Sequence, residues 1–129
     1  MLNSILAVSV GAAIGAVLRW LLSIGLNGLL PTMPPGTLAA NLIGAYLIGL
    51  IAALLLAQPA VSAEWRLFLV TGFLGGLTTF STFSLEVFTL LQQQRYGWAA
   101  STVTAHLFGS LLLTALGFAT VSLWRRLFS

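Results

Sequence analysis

Between Gly72 and Ser84 the chain reads Gly-Phe-Leu-Gly-Gly-Leu-Thr-Thr-Phe-Ser-Thr-Phe-Ser, inside a stretch otherwise apolar enough to cross a membrane. Glycine and hydroxyl residues at this density weaken a helix, and lipid offers no water to the N–H and C=O groups so released. If the helix ends near Gly72 to Gly76 and restarts near Thr79 to Ser81, its first half points carbonyls into the gap and its second half points N–H groups at it. Carbonyl oxygens suit a hard cation such as sodium, whereas amides and hydroxyls suit an anion. Closely packed membrane helices also use small residues, and composition alone favours that plainer role.

Phe80 and Phe83 are three apart, so on a helix they share a face, flanked by Thr79, Ser81, Thr82 and Ser84. Packing in lipid is the ordinary use of such rings. The sharper one turns their electropositive edges toward an anion, with the hydroxyls supplying further donors. Asn41 is the one uncharged amide well inside an apolar segment. It is suited either to bonding a neighbouring helix or to offering its NH2 to an anion. Thr102, His106, Ser110 and Thr114 recur every four residues and make one polar stripe, although hydroxyls often bond their own helix. A lone histidine has no second ligand for a metal. Arg19 and Glu86 are the charged residues within apolar segments, where mutual or backbone pairing is the plain expectation. Gly11 and Gly15 form a GxxxG packing signal. With no cysteine, no aspartate and a single histidine, the chain offers no catalytic constellation.

These residues are positioned by an all-α integral membrane fold. Of 129 residues 59% are hydrophobic and 5% charged, against about a quarter charged in a soluble domain. Four apolar segments, about 2–26, 37–57, 67–91 and 98–124, each reach the roughly 20 residues that cross the hydrocarbon of a bilayer. They make one four-helix domain over 1–129, its third helix broken near the middle. The first segment has no Lys or Arg before it and is too long for a signal-peptide core, so it reads as a retained span. Five arginines against two glutamates give a net charge of +3 without the dispersed basic surface of a nucleic-acid binder. Arg66, Arg125 and Arg126 fall on one side, and Arg95, with Arg19 snorkelling, on the other. So weak a bias permits insertion both ways and hence an antiparallel homodimer, or else a modest preference for one orientation. A small four-helix chain has little interior in which to enclose a polar path alone, which favours the dimer.

The segments Gly11 to Trp20 with Arg19, Gly36-Thr37-Leu38 through Asn41 and Gly44 to Gly49, and above all Gly72 to Ser84, resemble the Fluc, or CrcB, family of fluoride channels along essentially the whole chain. That resemblance implies a dual-topology antiparallel homodimer in a bacterial inner membrane. It would have two pores that pass fluoride passively and so lower cytoplasmic fluoride. Asn41, Phe80 and Phe83 would line the pores, with Ser81 and Thr82 among their hydroxyls and Ser110 and Thr114 forming a polar track. The carbonyls of Gly75 and Thr78 from both subunits would hold a structural sodium ion, and Arg19 would support the dimer near the pore mouth. Ala12 and Ala45 depart from the common pattern and bear on local packing. Fluoride is small and strongly hydrated, so closely placed amides, hydroxyls and ring edges suit it without the deep trap of a fixed cation. The rival readings are a proton-coupled fluoride exchanger using Glu86, a small drug-efflux dimer, and a non-conducting membrane assembly protein.

Overall fold

A computed structural model describes residues 1–128, which are helical apart from short connections. Helix α1 spans Leu2–Leu26 and passes through a single 3-10 turn, Asn27–Leu29. Pro31, Pro34 and Pro35 then prevent the helix from continuing, and Pro35 occupies the first turn of α2, Pro35–Ala57, where its missing N–H costs nothing. Asn27 ties this bend to the new helix, because its Oδ1 accepts the Gly36 amide at 2.8 Å. The third rod begins under a Ser62 cap that accepts the Trp65 amide. It runs through Ala63–Arg66, a wider π-helical stretch Leu67–Leu74, and Gly75–Leu77; residues 63–77 are called α3 below.

Thr78 and Thr79 then have extended dihedrals, φ −83°, ψ 154° and φ −148°, ψ 112°. Helix α4, Phe80–Gln92, starts on the Thr79 side chain, which accepts the Thr82 amide at 3.2 Å. It ends in a turn in which the Arg95 amide reaches back to the Leu90 carbonyl at 2.9 Å and Gln94 takes a left-handed φ of 58°. Helix α5, Tyr96–Phe128, follows at once. The chain thus has four helical rods long and apolar enough to span a bilayer, 2–29, 35–57, 63–92 and 96–128.

The rods pack in pairs, α1 along α3 and α2 along α5, with α1 against α2 and α4 against α5 closing the bundle. The inward residues are small. Gly11 and Gly15 of α1 lie against the backbone of Phe68, Gly72 and Phe73, and a Cβ at Gly15 would collide with the Phe73 carbonyl. Reciprocally, Gly72 and Gly76 lie against the backbone of Val8, Gly11 and Ala12. Two small-xxx-small faces therefore meet with their backbones in contact, which is how van der Waals packing holds helices together where lipid removes the hydrophobic drive. Gly49 and Gly117 make the corresponding approach between α2 and α5. Larger side chains fill the centre, where Ala40, Leu74 and Leu77 are buried against Leu22, Leu47, Ile48 and Phe73. The outward faces, with Ile5, Ile14, Val17, Leu112 and Leu123 exposed, are apolar as a lipid-facing surface requires.

A methyl group at position 15 has backbone in its way, whereas at Gly25 nothing lies within 4 Å. Gly15→Ala is expected to lose about 1–3 kcal/mol by overpacking. Gly25→Ala should be neutral or gain up to about 1 kcal/mol from helix propensity. Thermal unfolding of the two variants in detergent checks the contrast; equal midpoints would contradict the backbone contact.

Candidate functional site

The site is organised around the unwound pair Thr78–Thr79. A residue with extended dihedrals between two helices leaves both its N–H and its C=O without a helical partner, and burial makes that costly. Asn41, on the facing side of α2, satisfies both: its Oδ1 accepts the Thr79 amide at 2.7 Å and its Nδ2 donates to the Thr79 carbonyl at 3.0 Å. The small residues around it, Thr37, Ala40, Gly44 and Ala45, are buried and allow α2 to approach this closely. Thr78 is held by its own helix, with its amide and hydroxyl both donating to the Leu74 carbonyl.

The orientation of Asn41 fixes that of His106. Because the Asn41 oxygen is taken by an N–H donor, its Nδ2 is the atom that meets His106 Nδ1 at 3.1 Å. Nδ1 must then accept, and the ring proton resides on Nε2. His106 is 5% exposed, and its buried Nε2 has no partner among the described residues, so a polarised N–H is left unused. The imidazole lies 4.6 Å from the Phe83 ring, and Phe83 lies 5.5 Å from Phe80, whose ring is 78% exposed on the outside of the bundle.

An open cavity of about 510 Å³ gathers these groups on one face of the protomer. Asn41, Gly75, Thr78, Phe80, Phe83, Ser110 and Thr114 all line it, together with Thr79 and His106. No carboxylate and no guanidinium is among its lining residues. Of the polar stripe on α5, Thr102 is turned inward and bonds the Trp98 carbonyl, while Thr114 donates across to the Ala45 carbonyl at 3.0 Å. Ser81 and Thr82 do not line this cavity. Ser81 is exposed beside Thr79, with 3.3 Å between the two hydroxyls, and Thr82 faces a second cavity of about 390 Å³ that also holds Glu86, Thr89, Gln93 and Arg95.

Arg19 and Glu86, the charged residues within the apolar segments, do not pair with each other. Arg19 Nε donates to the Gly76 carbonyl at 3.0 Å, a backbone contact that clips α1 to the end of α3. Glu86 Oε1 instead accepts the Thr37 hydroxyl at 2.6 Å, and its Oε2 is buried without a partner among the described residues. Sequence reasoning also passed over the part played by Thr79, which holds Asn41 through its backbone and caps α4 through its side chain. Its position immediately before an aromatic and hydroxyl run was the available signal.

Residues 6–118 match the family model described as CrcB-like protein, Camphor Resistance (CrcB). The chain is 60% identical over 126 residues, 98% of its own length and 99% of the relative's, to the fluoride-specific ion channel FluC of Tolumonas auensis. It is 59% identical over 117 residues to the protein of that name from Pseudomonas paraeruginosa, covering 91% of this chain and 92% of the relative. Against that of Burkholderia pseudomallei the identity is 55% over 124 residues, covering 96% and 97%. With four rods fit to span a bilayer and a match along nearly its whole length, the chain is a multi-pass membrane protein and belongs to the CrcB-like family.

Proposed function

We propose that this protein is a fluoride-selective channel of the inner membrane that lets fluoride leave the cytoplasm passively. We read it as an antiparallel dual-topology homodimer with two pores. The observation that carries this reading is the uncharged, donor-lined cavity on one open face. Asn41, His106, Ser110 and Thr114 line an apolar hollow with the Phe80 and Phe83 rings beside them, and the donors not already committed among the described residues are the Ser110 hydroxyl and the His106 Nε2–H, since the Asn41 NH2 is held by Thr79 and His106 and the Thr114 hydroxyl by Ala45. Neutral donors and ring edges replace part of the water around a small anion without holding it as a fixed cation would. One protomer leaves this face open, and a second copy laid against it would enclose the path. A channel of this kind is not an enzyme and needs no coupling to protons. Glu86, the carboxyl an exchanger would use, lies in the other cavity.

The unwound segment also suits a structural sodium ion. Among the described residues, no backbone N–H bonds to the carbonyls of Gly75 or Thr78, and both residues line the open face. The backbone beside Gly75 is bare, its nearest neighbour to an added Cβ being the Val70 carbonyl at 3.8 Å. Oxygen at the end of a half-helix is a fitting ligand for a hard cation, and the same two carbonyls from an opposed copy would complete the set. Bound there, sodium would bring two helix ends together. Arg19, seated on the Gly76 carbonyl, holds the same turn from the α1 side.

Two measurements test these roles. Phe80→Ile and Phe83→Ile in liposomes are expected to lower fluoride efflux by about tenfold or more, equivalent to about 1.4 kcal/mol on the barrier, while leaving the dimer intact. The parent should retain chloride, and its efflux should generate a membrane potential and ignore an imposed proton gradient; proton-dependent, electroneutral efflux would favour the exchanger. For the cation, exchanging sodium for potassium should lower the unfolding midpoint of the dimer, since an ion present at a hundred times its Kd stabilises by about 2.7 kcal/mol. A midpoint indifferent to sodium would remove the ion from the account.

A further inference from the structure

The second cavity lies at the far end of α4, between the proline-rich 27–35 connection and the turn into α5, and the roles above leave it without one. At its rim stands Arg95, exposed, with Nη2 donating to Thr32 Oγ1 at 3.4 Å. Arg95 is the one cation among the residues lining this cavity, and Glu86 is the one acid. The two cavities are joined by a polar contact: Thr82, in the wall of this one, accepts at its Oγ1 the hydroxyl of Thr79, in the wall of the first, at 3.0 Å.

Resting on the channel reading, we propose that Arg95 is an anion-collecting residue and the second cavity its antechamber, where a small inorganic anion gathers before entering the donor-lined path. Whatever negative charge Glu86 carries repels anions from the recess, and its partner is the Thr37 hydroxyl, which leaves that charge uncompensated by any cation on its own helix pair. An arginine at the same recess offsets that repulsion. Its guanidinium has five N–H donors, of which one is engaged with Thr32, so several remain for a passing ion. Exposure keeps the attraction shallow: in water the field raises the local concentration of anions without binding them tightly enough to block passage. In an antiparallel dimer the two copies place one such arginine at each membrane face, so that entry is aided from either side.

The test is the dependence of flux on ionic strength. In liposomes at about 0.01 M salt, where the screening length is about 30 Å, Arg95→Gln is expected to lower initial fluoride efflux about threefold or more, a single exposed charge giving less than the roughly tenfold at which steering by a whole charged cleft begins. Arg95→Glu should lower it further, and Arg95→Lys should keep most of it. Near 1 M of an impermeant salt, where screening shrinks to about 3 Å, the variants should converge on the parent. Arg126→Gln, on an exposed residue at the end of α5, controls for general surface charge and should match the parent throughout. Rates for Arg95→Gln and Arg95→Glu equal to the parent at low salt overturn the proposal while leaving the channel reading standing. Should the parent itself pass no fluoride, the channel reading fails, and the side-chain 15Nε resonance of Arg95, titrated with sodium fluoride at constant ionic strength in detergent, decides whether the anion is captured. A saturable shift larger than that of Arg126 supports capture. A shift no larger, or one produced by added phospholipid and not by fluoride, overturns it.

Discussion

In a bilayer every backbone polar group must find its partner within the protein, and in this chain that demand falls on Thr79. Two hydrogen bonds with Asn41, one accepted from the Thr79 amide and one donated to its carbonyl, meet it, and most of the site follows from them. They let the chain leave helical geometry between Leu77 and Phe80, and they set α2 at a fixed distance from α4. They also orient the Asn41 amide, which determines the tautomer of His106 and leaves its Nε2–H facing outward from the pair. One side-chain amide therefore converts a backbone irregularity into directional polarity on the neighbouring helix.

That arrangement requires backbones close enough for a short side chain to bridge them. The glycines of α1 and α3, and the Gly49–Gly117 approach between α2 and α5, provide the closeness. The Arg19 contact with the Gly76 carbonyl works on the same turn from the opposite side. Packing and polarity are thus coupled: a methyl group added at the α1–α3 contact would push on the segment that carries the two unwound threonines. The two hydroxyls of Thr79 and Thr82 extend the polar line away from Asn41 and toward Glu86, which is in turn anchored by Thr37.

The rods were legible because spans of apolar residues broken by prolines and polar clusters have no other stable form in lipid. Prolines 31, 34 and 35 and the Gln92–Arg95 tract marked their ends. The glycine and threonine run signalled an irregular backbone, and Phe80 and Phe83 within it gather around one cavity with Asn41 of α2 and Ser110 and Thr114 of α5. What could not be read was partnership across the bundle. Glu86 meets Thr37, 49 residues away, and His106 meets Asn41, 65 residues away; no local pattern encodes such pairs. The even spacing of the α5 stripe also concealed a division of labour, since Thr102 turns to its own helix while His106 and Thr114 reach across to α2. Likewise Ser81 and Thr82 sit in the same hydroxyl run as Phe80 and Phe83, yet helical rotation turns them away from that cavity.

Helix α5 is the longest element, 33 residues, or about 50 Å at 1.5 Å per residue. Aromatic residues mark both of its ends, Tyr96 and Trp98 at one and Trp124 stacked on Phe128 at the other, and Arg125 and Arg126 lie in its last turn. Such residues settle at the headgroup layers, and those layers are about 40–45 Å apart across a whole bilayer. The helix carrying His106 and Thr114 is therefore pinned at two depths. In a thinner membrane it must tilt to keep both anchors at their interfaces, and the close backbone contact at Gly49 and Gly117 ties α5 to α2 as it does so. The contact between Asn41 on α2 and His106 on α5 spans the same helix pair, so a change of bilayer thickness would load the packing that holds these two side chains together.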